Sequence, residues 1–77
     1  MTKIEKLKVL ENFKIYFLFS DKSEKIIDFK LFIGNDKFTK PLSIPEYFSQ
    51  VKIYENGRGI YWPNGYDFCP DYLREYV

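Results

Sequence analysis

The chain has 77 residues, with eight Phe, seven Tyr and one Trp, and a net charge of +1. That makes one domain, at the small end of what a single core stabilises, and the density of rings excludes a disordered segment. One Cys and no His exclude an internal disulfide, imidazole acid–base chemistry and a zinc site of nitrogen and sulfur ligands, so neither metal nor cofactor is expected.

The opening residues lack the apolar core of a signal peptide, and no stretch approaches membrane-spanning length, so a cytoplasmic location is expected. Residues 1–40 hold nine Lys against six acids, and residues 41–77 hold three basic residues against five acids. This imbalance falls short of the footprint of tight nucleic-acid binding. In chain order, "KLKVL" sets Leu7 and Val9 against Lys6 and Lys8, a strand with one wet face. Glu11-Asn12 reads as a turn. "FKIYFLF" then groups Phe13, Ile15, Phe17 and Phe19 opposite Lys14, Tyr16 and Leu18. Its second face is also rather apolar, which predicts a central strand covered on both sides. Ser20, Asp21 and Ser23 supply turn chemistry, and "KIIDF" completes an antiparallel meander.

"LFIGNDKF" reads as a short helical turn and a loop. "SIPEYFSQV" predicts a helix of one or two turns, with Ser43 as cap, Pro45 in the first turn, Glu46 near the positive dipole end, and Tyr47 or Phe48 pointing inward. The strongest local signal is "VKIYENGRGIYW". Asn56-Gly57 tolerates the two positive φ angles of a tight hairpin turn, which fixes the register. Glu55 then faces Arg58 as an exposed ion pair, Ile53 faces Ile60, and Val51 faces Trp62 on one side, with Lys52 paired to Tyr61 on the other. Pro63 ends that strand because it lacks an N–H for the ladder, and Asn64-Gly65 turns the chain. A last helix follows in "YDFCPDYLREY": Pro70 suits its first position, Asp71 its first turn, and Asp67 or Cys69 its cap. Leu73 and Val77 share one face of it, with Tyr72 and Tyr76 beside them. The expected architecture is α+β across residues 1–77. It comprises one antiparallel sheet of about five strands (meander, short helix, Asn-Gly hairpin) and a short C-terminal helix.

The run "PEYFSQVKIYENGRGIYWPNGYDFCPDYLRE", preceded by "FLFSDKSEKIIDF", resembles the bacterial family called domain of unknown function twenty-four forty-two. The elements that carry the resemblance are Pro45-Glu46-Tyr47-Phe48, Trp62-Pro63-Asn64-Gly65, Asp67 and Pro70-Asp71, in this order over essentially the whole chain. The resemblance implies a small α+β domain with no established catalytic residues. It also implies a setting in toxin–antitoxin-like or mobile-element operons, with members standing alone or fused ahead of a helix-turn-helix. This chain has Asp-Lys-Ser-Glu where relatives often use an Asp-Gly turn, and no helix-turn-helix is recognised in it.

The residues support a non-enzymatic protein-interaction or regulatory module more than any other reading. Tyr54, Tyr61, Tyr66, Tyr72 and Tyr76, with Lys52, are the candidates for a protein contact, because rings with a polar handle dominate contact hot spots. The plain alternative is that the rings only cover the sheet. Trp62, Pro63, Asn64, Gly65, Asp67, Pro70 and Asp71 are read first as the corner that joins hairpin to helix. A protein partner, such as the product of a neighbouring gene, is expected, and homodimerisation through an edge strand is one form of contact. A second reading, a nucleic-acid-associated regulator, rests on Lys interleaved with aromatics in residues 1–40, and near-neutral charge counts against it. A third, a small enzyme using Cys69, Asp67 and Asp71, lacks a His to activate the thiol. Cys69 is read instead as a small packing or capping residue.

Overall fold

The computed structural model describes residues 2–76. Its strands are β1 (Ile4–Val9), β2 (Lys14–Phe19), β3 (Glu24–Asp28), β4 (Lys52–Ile53), β5 (Ile60–Tyr61) and β6 (Asp67–Phe68). Its α-helices are α1 (Pro45–Phe48) and α2 (Pro70–Glu75). The mixed α and β composition is as expected, but the strands form two antiparallel three-stranded sheets, β1-β2-β3 and β4-β5-β6, in place of one sheet of about five. Where β1 comes close to β4, no ladder joins them.

The meander follows from alternation. Ile4, Ile15, Phe17, Phe19 and Ile27 point inward and are buried, while Lys6, Lys8, Lys14 and Glu24 point out. Asp21 organises the β2–β3 turn by accepting the Ser23 backbone N–H at 3.0 Å, and Lys22 takes a φ of 72°. The β1–β2 loop, residues 10–13, contains a 3-10 turn at Glu11–Phe13 and places both Asn12 and Phe13 at positive φ, 60° and 61°. For a bulky residue that conformation is a strain, and edge-on packing of the Phe13 ring on Phe48, with centroids 5.3 Å apart, helps to hold it. The expectation that β2 is covered on both sides is not met, for Tyr16 and Leu18 on its outer face are only half-buried.

Between the sheets the chain makes two short 3-10 segments, Phe29–Phe32 and Lys40–Ser43, around a loop held by Asp36. The Asp36 carboxylate accepts the N–H groups of Phe38 and Thr39 and the Thr39 hydroxyl, at 3.0, 2.9 and 2.7 Å. These bonds hold its carboxyl below the ordinary value, chiefly through Thr39. Helix α1 starts at Pro45 with Glu46 in its first turn, and Phe48 is its buried anchor. Ser43 is not its cap. That hydroxyl turns back to donate to the Lys40 carbonyl at 2.7 Å, and Ile44 occupies the cap position.

One core serves both sheets. Phe29 stands at its centre, with centroids 6.3 Å from Phe17, 6.0 Å from Phe48, 5.8 Å from Trp62 and 5.4 Å from Phe68. Such edge-on and tilted pairs add to the area each ring removes from water. Leu73 brings α2 onto this core. The C-terminal end of α2 is tied to the meander by the Lys25 ammonium, which donates to the Arg74 carbonyl at 2.9 Å. The Arg74 guanidinium donates to Asp21 from Nε at 2.9 Å and from Nη2 at 2.6 Å. Val77, expected on the face of Leu73, lies outside the described residues.

Candidate functional site

The Asn56-Gly57 hairpin has the expected register. Lys52 pairs with Tyr61 and Ile53 with Ile60, and Asn56 and Gly57 take φ of 64° and 71°. Its tip differs from expectation. Gly57 is buried against β1, so close that a Cβ there would lie 2.5 Å from the Ile4 carbonyl oxygen. The loop therefore closes on Tyr54 and Gly59, whose N–H and C=O meet at 2.8 Å. Among the described residues no ion pair joins Glu55 to Arg58.

Trp62-Pro63-Asn64-Gly65 does more than end a strand. The Gly65 N–H donates to the Trp62 carbonyl, and the Trp62 N–H to the Tyr66 carbonyl, each at 2.9 Å. Gly65 takes a φ of 90°. A turn followed by a left-handed glycine is the three-residue hairpin connection, and it feeds β6, where Tyr61 pairs with Asp67 and Ile60 with Phe68. Asp67 therefore lies in a strand and does not cap α2. Cys69 holds the cap position but makes no side-chain cap bond, and it is exposed, not packed. Pro70 and Asp71 sit in the first turn as expected.

The corner is bolted on three sides. Trp62, 0% exposed, donates from Nε1 to the Phe48 carbonyl at 2.9 Å. The Asn64 N–H donates to the Tyr47 hydroxyl at 2.9 Å, and its amide Nδ2 donates to the Phe38 carbonyl at 3.0 Å. Its Oδ1 accepts the Tyr66 N–H at 3.1 Å. One residue, through its backbone N–H and its amide, thus joins α1, the Asp36 loop and the β5–β6 hairpin.

The pleat divides the six contact candidates into two groups. Lys52, Tyr61 and Asp67 lie in one row across the outer face of β4-β5-β6. Tyr54 joins them: its ring stacks on Tyr61 with centroids 4.5 Å apart, and its hydroxyl donates to Asp67 at 2.8 Å. That bond, with the nearby negative charge, holds the Tyr54 phenol above its ordinary pKa. Gly59, at a φ of 140°, lets β6 come close beneath this pair, since a Cβ there would lie 2.4 Å from the Phe68 carbonyl oxygen. The other three belong to the inner side. Tyr66 packs on Trp62 and Phe68, and Tyr72 on Phe68 and Tyr76, so these rings extend the core towards α2. Of them Tyr72 is open to solvent, at 49%.

Two depressions lie elsewhere on the surface. One of about 420 Å³ lies over Phe19, Ser23, Lys25 and Arg74, whose guanidinium is already engaged by Asp21 and Glu75. The other, about 550 Å³, lies between Lys37, Lys40, Pro41 and Ile44. Among the described residues no three His, Cys, Asp or Glu side chains gather to hold a metal ion. No helix among them is long and apolar enough to cross a membrane.

The arrangement defines a small α+β domain whose polar bonds mostly brace its own corners and whose outer sheet face carries a stacked tyrosine pair. The family model described as "Protein of unknown function (DUF2442)" matches residues 4–77, and the chain belongs to that family. No curated protein and no solved structure matches it.

Proposed function

We propose that this chain is a non-enzymatic protein-interaction or regulatory module, and that a protein partner docks on the outer face of β4-β5-β6 at Tyr54, Tyr61 and Lys52. The observation that carries the reading is the half-exposed Tyr54–Tyr61 stack, fixed by the Asp67 carboxylate. A ring pair already held in place loses little conformational freedom on binding, while its exposed area remains available, which is the make-up of a contact hot spot. Against an enzyme stand the commitment of the Asp67 carboxylate to Tyr54 and a sequence with no His to activate the Cys69 thiol.

The partner fits the product of an adjacent gene, in the toxin–antitoxin-like or mobile-element operons that the family resemblance implies, acting in the cytoplasm. Co-expression with the adjacent gene product tests this. The native chain retains it on an affinity column, and Tyr61→Ala weakens binding by about 2 kcal/mol, roughly thirtyfold, while circular dichroism shows the variant folded. Retention unaffected by Tyr61→Ala and Tyr54→Ala sinks the proposal. So does binding of single-stranded nucleic acid at this face with a steep salt dependence.

A further inference from the structure

The outer face of β1-β2-β3 has a charge order that its own fold uses only in part: Glu24 accepts the Tyr16 hydroxyl at 2.5 Å and Asp28 accepts the Lys30 N–H at 2.9 Å, each through one carboxylate oxygen. The register places Lys6 beside Leu18 and Leu18 beside Glu24. The next row runs Lys8, Tyr16, Ile26, and the last pairs Lys14 with Asp28. The centre is apolar, with Tyr16 and Leu18 half-buried and Ile26 58% exposed. Charge is sorted by strand: on this face β1 contributes lysines and β3 contributes acids. Glu5, at the bulge in β1, is engaged by Lys22 at 3.0 Å. Among the described residues Lys6, Lys8 and Lys14 make no ion pair.

We infer that a second copy of this chain covers this face, in a symmetric dimer whose two-fold axis runs parallel to β2 between the two stacked sheets. That rotation lays β1 of each copy over β3 of the other, so both contacts are favourable. Lys6 meets Glu24, and Lys8 reaches between Glu24 and Asp28 while its aliphatic stem covers Ile26. An axis perpendicular to the strands lays lysine over lysine, so the charge order selects one geometry. Lys14 lies near the axis and faces its own mate; Asp28, beside it in register, offsets that charge. Three strands about 4.8 Å apart, with a rise of about 3.3 Å per residue, give a patch of roughly 15 by 17 Å. Its burial falls below the roughly 1,200 Å² of stable complexes, so the dimer is weak and depends on concentration.

Sedimentation equilibrium of the full chain from about 10 μM to about 1 mM covers the affinity range of so small an interface. The native chain shifts from monomer to dimer, and less so at about 0.5 M salt. Ile26→Lys, which sets a like charge against Lys8, raises Kd about tenfold or more. Lys6→Glu and Glu24→Lys each weaken the dimer, and the Lys6→Glu/Glu24→Lys double variant recovers it. Circular dichroism and melting establish that each variant is folded, and if Ile26→Lys fails to fold, the charge-swap series carries the test. A monomer throughout overturns the inference, as does a dimer indifferent to all these changes, which is edge-strand pairing. Failure of the double variant to recover overturns it too, as does a chain that stays monomeric and binds single-stranded DNA or anionic vesicles through these lysines.

Discussion

Replacing Gly57 with Ala tests whether the hairpin tip holds the two sheets together, and Gly65→Ala is its internal control. Both glycines have positive φ, 71° and 90°. A side chain in that region costs about 1–2 kcal/mol whatever surrounds it. At Gly65 a Cβ meets nothing within 4 Å, so the conformational cost is the whole effect. At Gly57 a Cβ would stand 2.5 Å from the Ile4 carbonyl oxygen and 3.0 Å from its nitrogen. Both atoms are backbone and cannot rotate away, so the start of β1 must shift. Ile4 is 3% exposed and pairs with Phe19, and loss of its burial costs up to about 2–3 kcal/mol. Gly57→Ala is therefore expected to lose about 3–5 kcal/mol, and Gly65→Ala about 1–2. Urea titration followed by tryptophan fluorescence reads both, since Trp62 is the only Trp and lies in the shared core. Equal losses, within about 0.5 kcal/mol as for independent surface changes, would refute the reasoning: the tip would then be a passive loop and not a clamp on β1.

Three further outcomes follow from the same contacts. Trp62→Phe removes the donor to the Phe48 carbonyl, leaving that oxygen only the long 3.4 Å bond from the Val51 N–H. The expected loss is about 1–3 kcal/mol by urea titration. Asn64→Ala breaks the bonds to the Phe38 carbonyl and the Tyr66 N–H, and is expected to speed amide exchange in both the Asp36 loop and the β5–β6 turn, read by NMR. The Asp21 carboxyl is held down to about 2 by the Ser23 hydroxyl and N–H, with Arg74 adding to them. A carboxyl lowered in the folded state stabilises at pH above its unfolded value of 3.8, and that contribution fades as pH falls towards 2. An NMR titration of Ser23→Ala is expected to show the Asp21 carboxyl moving up, and the melting temperature losing part of its fall between those pH values.

The parts of this fold that were legible in the sequence are those in which two local signals agree. Residues 51–62 have a period of two and a dipeptide that accepts positive φ, and the register of β4 and β5 follows from both together. Strand β6, as short as β4 and β5, was not legible because its two residues run almost directly into the helix start at Pro70, with no longer alternating stretch around them. Its loop, Pro63-Asn64-Gly65, looks the same whether the chain next enters a strand or a helix. The two sheets meet where Gly57 packs on Ile4, a contact between distant segments that no local pattern encodes. Asn64 reads as a turn residue, yet two of its bonds reach Tyr47 and Phe38. Among the contact candidates the sequence grouped all the tyrosines, and the pleat then sent Tyr61 outward while Tyr66 went to the Trp62 side. The lysine and acid columns on the meander are legible by alternation once the register is known, but a single strand does not reveal that β1 and β3 carry opposite signs.

Self-association through β1-β2-β3 and partner docking at Tyr54–Tyr61 use different strands, so they are separable by experiment. A dimer through the meander presents the tyrosine pair twice, and a bivalent module gains on an immobilised partner without any new contact, by a factor of up to about 10² or more. Ile26→Lys should then leave the affinity for a partner in solution unchanged while removing that gain on a surface densely coated with partner. Tyr61→Ala should do the reverse, weakening both kinds of binding roughly thirtyfold while the sedimentation profile stays that of the native chain. Calorimetry in solution and surface plasmon resonance at high and low coating density make the comparison. If Ile26→Lys also weakens solution binding, the partner reaches across both sheets, and the meander face is part of its footprint and not a surface kept for a second copy.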